Sequence, residues 1–161
     1  MALGIACLPA IALAAPDFNG KWLRDKDKSE TVPYPLYWLT RGVDPGGGGQ
    51  PNADYIISIK QDARSMQVTD PQRPLRTYEL DNKAHSVTAD TGMVKASVTA
   101  TLKGDTLVVN TTQPYGGMPG NVTMKVEETW SLSADGKVLT ISTIRDSPSE
   151  KKKFQQVFTR K

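Results

Sequence analysis

The chain has 161 residues, with 20 Lys+Arg against 17 Asp+Glu and a formal charge of +3. These charges are spread along the sequence instead of gathering on one face, which argues against a nucleic-acid-binding protein. With one His and one Cys, and that cysteine (Cys7) in an N-terminal apolar run, the rest of the chain offers no disulfide, no thiol nucleophile and few transition-metal ligands. No cofactor is expected.

Residues 1–14 read as the apolar stretch of a secretory signal peptide without a basic leader. They are well short of the roughly 18 residues a membrane-spanning helix needs, and Ala12-Leu13-Ala14 has the small-x-small pattern of a cleavage site. The expectation is one domain over 15–161 in a secreted or periplasmic protein. The alternative is an ordinary apolar tail or strand.

A first strand is expected over Phe18–Leu23. Lys26–Ala53 then breaks the rhythm, holding Thr31–Leu39, rich in aromatics and proline, and a glycine run between Asp44 and Pro51. Long irregular stretches in compact domains are commonly functional or disordered. The aromatic half reads as a short helix or flap in which Tyr34, Tyr37 and Trp38 form a lid, and the glycine half reads as a connector. No Gly-Lys-Ser/Thr follows the glycines, so a phosphate loop is not indicated.

From Tyr55 onward, β-branched and aromatic runs alternate with short turns. Strands are expected at Tyr55–Gln61, Ser65–Thr69, Arg76–Leu80, His85–Ala89, Val94–Leu102, Thr106–Thr112, Val122–Leu132, Val138–Arg145 and Lys153–Arg160. Asp81-Asn82-Lys83, Lys103-Gly104-Asp105 and the Ser133–Lys137 segment put Gly, Asn and Asp where tight hairpins need positive φ. The fold class is therefore all-β, an antiparallel up-and-down barrel of about eight to ten strands with a lid-like insertion after the first.

Alternation sends successive side chains to opposite faces. Val122, Met124, Val126, Trp130 and Leu132 define one dry face, and a meander without partner helices buries such a face by closing into a barrel. The polar residues of inward parity are the candidates for chemistry. Glu128 lies between Val126 and Trp130, Arg145 follows Leu139, Ile141 and Thr143, and His85 shares parity with Val87. Gln156 and Arg160 do so with Phe154 and Phe158. A buried carboxylate needs a partner, and Arg145, across the Asp135-Gly136 hairpin, is the nearest cation to Glu128. The alternatives are a solvated Glu128 at a bulge or mouth, an Arg145 that marks the strand exit, and a half-exposed His85. Lys151-Lys152-Lys153 reads as a solvated turn.

Phe18-Asn19-Gly20-Lys21-Trp22 resembles the Gly-x-Trp signature of the calycin superfamily, the lipocalins and fatty-acid-binding proteins. The insertion followed by hairpins is similar to the fatty-acid-binding layout, and Glu128–Ile141 resembles a hairpin of small secreted bacterial lipocalin-like proteins. The resemblance implies that Trp22 plugs the closed end of the barrel beneath a cation, for which Arg160 is the candidate. Fatty-acid-binding proteins hold a carboxylate with an Arg-x-Tyr pair on the last strand. Gln156 and Phe158 stand there instead, which departs from that pattern.

The leading functional expectation is a barrel that binds a small, largely apolar molecule inside. Trp130, Met124, Tyr78 and Phe158 would line the site, Glu128 and Arg145 would orient the ligand, and Tyr37 and Trp38 would cover it. A second reading is a cofactor-free lyase, isomerase or cyclase using Glu128, or His85, as acid or base. A third is an inhibitor or interaction module that presents Pro33–Leu39.

Overall fold

The computed structural model describes residues 15–30, 55–71, 73–88, 95–114 and 122–161. They form ten strands: β1 Gly20–Arg24, β2 Ile56–Gln61, β3 Ser65–Asp70, β4 Arg73–Glu79, β5 His85–Thr88, β6 Lys95–Lys103, β7 Thr106–Pro114, β8 Thr123–Leu132, β9 Val138–Asp146 and β10 Lys151–Arg160. No helix occurs among the described residues, and the expected lid with Tyr34, Tyr37 and Trp38 lies outside them.

The strands make one sheet in the order β4-β3-β2-β1-β10-β9-β8-β7-β6-β5. Each neighbouring pair is antiparallel, and β1 joins β10 through Trp22↔Arg160 and Arg24↔Phe158. The first and last strands of the chain are thus stitched together, and the sheet curls until β4 comes up against β6. The result is a nearly closed up-and-down barrel, with β4 and β5 at the seam.

The hairpins form where turn chemistry calls for them. Asn82, Gly104 and Gly136 have φ of 58°, 60° and 67°, the left-handed region that Gly and Asn enter with least strain. Asp135 accepts from Ser133 and from the Lys137 amide, while Asp62 accepts from the Arg64 and Ser65 amides. These turns, with the start of β1 and the end of β10, mark one end of the barrel. Arg24, Ile56, Asp70, Pro114, Thr123 and Asp146 end or begin their strands at the other.

At the first of these ends the barrel is plugged by its own side chains. Phe18, Trp22 and Trp130 are completely buried, with Met66, Leu107 and Leu139 around them. The Trp130 ring meets Phe18 edge-on at 6.4 Å and Tyr78 at 6.3 Å. The Trp22 Nε1 donates to the Phe18 carbonyl at 2.9 Å, so the indole is buried without an orphaned donor.

Arg160 seals this closed end from outside, its guanidinium 4.3 Å from the centre of the Trp22 ring. Its nitrogens donate to the carbonyls of Gly136 at 2.9 Å, Asn19 at 2.6 Å and Asp17 at 3.0 Å. Gly20 makes room for it. A Cβ there would come within 3.2 Å of the Arg160 Nη1, and φ is +125°.

Candidate functional site

The inward face changes character along the barrel axis. The closed half is apolar, whereas the buried polar and charged side chains among the described residues lie at mid-barrel or nearer the open end. They occur in pairs on four walls: Arg24 and Gln156 on β1 and β10, Asp70 and Arg76 on β3 and β4, Thr111 and Gln113 on β7, and Glu128 and Thr143 on β8 and β9. Each such group costs free energy to bury unless a partner compensates it, so the compensation of each wall reveals its purpose.

On the β8–β9 wall, Glu128 is inward and 7% exposed. Its Oε2 accepts from the Trp130 Nε1 at 3.3 Å, and Thr143 is its cross-strand partner. The expected Glu128–Arg145 pair does not form. Arg145 faces Val126, one pleat nearer the open end, where the turn after β9 brings Glu150 to it as an ion pair. The Arg145 guanidinium also sits 5.8 Å from the Phe154 ring centre. Bonds from Lys152 and then Arg145 hold the Glu150 carboxyl below its ordinary range. Hairpin proximity named the right neighbouring strand but not the register, and the register decides the partner.

On the β3–β4 wall, the Arg76 and Asp70 side chains are each 3% exposed, with the Arg76 Nη2 3.9 Å from the Asp70 Oδ2. The Arg76 Nη1 donates to the Tyr78 hydroxyl at 3.2 Å. Its guanidinium lies 5.9 Å from the Trp130 ring centre and 6.0 Å from that of Tyr78. Arg76 is thus a compensated structural cation that reaches across the barrel to the packed half. Its inward parity was legible from Tyr78, two residues on, as that of Asp70 was from Met66 and Val68.

The β1–β10 wall is different. Arg24 is 3% exposed, yet its Nη2 meets only the carbonyls of Ser29 and Glu30, at 3.5 and 3.3 Å. Its Nε and Nη1 are buried without a hydrogen-bond partner. The Tyr55 ring centre is 5.8 Å from the guanidinium carbon, and the Tyr55 hydroxyl receives the Gln156 Nε2 at 3.2 Å. Ser29 and Glu30 are fixed against β10, where the Ser29 Oγ takes the Val157 amide at 2.9 Å and the Glu30 Oε2 takes the Gln155 amide at 2.7 Å. Sequence reasoning missed Arg24 because the first strand was expected to stop at Leu23. Extending the Trp22 parity by two residues finds it.

Met124 is buried in the open half opposite Gln113. Phe158 is buried and meets Tyr55 edge-on at 6.1 Å. Trp130 and Tyr78 belong to the packed half described above. His85 begins β5 at the closed end, its side chain 41% exposed and its Nε2 2.9 Å from the Asp81 Oδ1. That bond, with the Lys83 amide, lowers the Asp81 pKa. His85 is therefore remote in the fold from the open-half polar groups. Tyr37 and Trp38 fall outside the described residues. Among the described residues, no group of three or more His, Cys, Asp or Glu is placed to hold a metal, and no helix is long and apolar enough to cross a membrane.

No family model and no curated protein matches the sequence. A solved structure of zebrafish ileal bile acid-binding protein complexed with cholic acid matches with a TM-score of 0.56 at 15% identity, covering 89% of this chain and 98% of that one. At that identity the likeness speaks for the fold, and the chain has the fold of the fatty-acid-binding barrels.

Proposed function

We propose that the protein is a secreted or periplasmic carrier that binds one small, largely apolar molecule in the half of its barrel nearer the open end. The observation that carries this is the switch of the inward face from an aromatic plug to buried polar side chains, interleaved with Met124, Val126, Ile141 and Phe158. A barrel built only for stability gains nothing from burying Gln113, Thr143 or Gln156, because apolar side chains of the same shape fill such positions at no desolvation cost. Mostly apolar walls with a few placed polar groups are what a ligand site requires. The structural neighbour, a protein with cholic acid bound, supports the same reading.

Glu128 and Thr143 then offer hydrogen bonds to a ligand hydroxyl or amide. With no cation paired to it among the described residues, Glu128 is better suited to accepting such a bond than to anchoring a charge pair.

The test is a fluorescence titration with N-phenylnaphthylamine, an uncharged apolar dye. Saturable one-to-one binding in the micromolar range, competed by molecules that co-purify and appear in the native mass spectrum, is expected. An unsaturable or absent response, with a native mass equal to the bare chain, would refute the proposal.

A further inference from the structure

We infer that the interior ligand is an anion, and that Arg24, at the open-half end of β1, receives its charged group. This rests on the interior-binding reading above and adds the ligand's charge and the wall it faces.

Among the residues whose side chains are described, three arginines have inward parity toward the open end, and comparing them isolates one. Arg145 is at the rim with Glu150 against it. Arg76 has Asp70, the Tyr78 hydroxyl and two aromatic faces. Arg24 has no carboxylate partner among the described residues. Two of its nitrogens are buried without a hydrogen-bond partner, and the third makes two long bonds to carbonyls.

Arginine cannot shed its proton to escape burial, and an uncompensated buried charge is among the most costly features a fold can carry. The surroundings are nonetheless built. Ser29 and Glu30 are pinned to β10 by four hydrogen bonds, so the carbonyls that hold Nη2 fix the guanidinium in place. Tyr55 and Gln156 stand beside it, already bonded to each other.

Each two-pronged edge of a guanidinium includes Nη2, one with Nε and the other with Nη1, so with Nη2 on carbonyls what remains for a carboxylate or sulfonate is a single charge-assisted bond from Nε or from Nη1. With Nη2 on the Ser29 and Glu30 carbonyls and Nε and Nη1 buried without a hydrogen-bond partner, the side chain is left to donate to an oxyanion that the described residues do not supply. A ligand that brings one removes the desolvation cost of Arg24 and of its own charge together.

The experiment compares two dyes that differ only in charge: N-phenylnaphthylamine and anilinonaphthalenesulfonate, the same ring system with a sulfonate. Wild-type protein should bind the sulfonate at least about tenfold more tightly. Arg24→Met should erase that preference while leaving the uncharged dye's affinity within about threefold. Arg24→Gln, which keeps a donor for the Ser29 and Glu30 carbonyls, serves if Arg24→Met does not fold. Equal wild-type affinities, or a sulfonate preference that survives loss of the guanidinium, would overturn the inference while leaving interior binding intact. Failure of both dyes to bind would remove interior binding, and this inference with it.

Discussion

The two halves of the barrel solve the burial problem in opposite ways. In the closed half, Phe18, Trp22, Trp130 and Tyr78 fill the space and the polar tip of Trp22 meets a partner inside the protein, so that half is finished in isolation. In the open half, Arg24 and Thr143 bury polar atoms with no hydrogen-bond partner among the described residues, which is the gap the proposed ligand would fill. A protein can hold unsatisfied groups when the rest of the molecule supplies the stability to keep them there. The contrast between a stability end and a proposed binding end makes distinct mutational forecasts for each.

The largest effect should come from the plug. Trp22→Ala removes a fully buried indole and is expected to cost about 3–5 kcal/mol in urea denaturation, while the folded fraction still binds the uncharged dye. In the open half, Gln156→Leu should instead leave stability within about 1 kcal/mol, because it replaces a buried amide with an apolar group of similar shape. If the two substitutions cost the same, the division into halves is wrong.

Arg160→Ala comes next. It loses the cation over Trp22 and three hydrogen bonds to carbonyls, for an expected cost of about 1–2 kcal/mol after allowing for solvent exposure. Arg160→Lys should recover part of the stacking but not the three-way carbonyl clamp. An unchanged unfolding midpoint in the alanine variant would show that the cap is ornamental.

Glu128→Gln should do less, within about 1 kcal/mol and with dye affinity changed less than about threefold. The Gln carbonyl can still accept from Trp130, and no arginine loses its counter-charge because Arg145 is paired with Glu150. A large loss of stability would reveal an ionic partner.

The smallest contrast is in pH. Asp62, Asp81 and Asp135 in the closed-end turns have pKa values lowered by backbone and side-chain hydrogen bonds. A lowered folded-state pKa means the stabilisation is fully present above the unfolded carboxylate range and is lost as pH falls through and below it. Urea midpoints should therefore be flat from pH 7 to about pH 5 and decline toward pH 3. A midpoint that rises on acidification would contradict the turn hydrogen bonds.

Much of the fold could be read from the sequence because strand signals are local. Period-two alternation and turn residues placed the hairpins, and Trp22 could be assigned to the core from its Gly-x-Trp setting. The pairing of Glu128 could not be read, because it depends on the register of β8 against β9 and on Glu150 arriving from the next turn. Arg76 over Trp130 joins strands that are distant in sequence and meet only when the sheet curls. Arg24 was hidden by a single residue of strand boundary. Its significance lies in partners that are missing, and a list of residue types does not show a missing partner.

The most direct test uses the methionine methyls as reporters of the two halves. Met124 is buried in the open half and Met66 pairs with Tyr78 in the closed half, and the chain has 5 methionines, few enough to assign by substitution. Methyl-labelled protein titrated with N-phenylnaphthylamine should show a large, saturable ring-current shift at Met124 and almost none at Met66. Shifts at Met66 alone, or at neither methyl while the dye binds, would place the ligand elsewhere and contradict an open-half site.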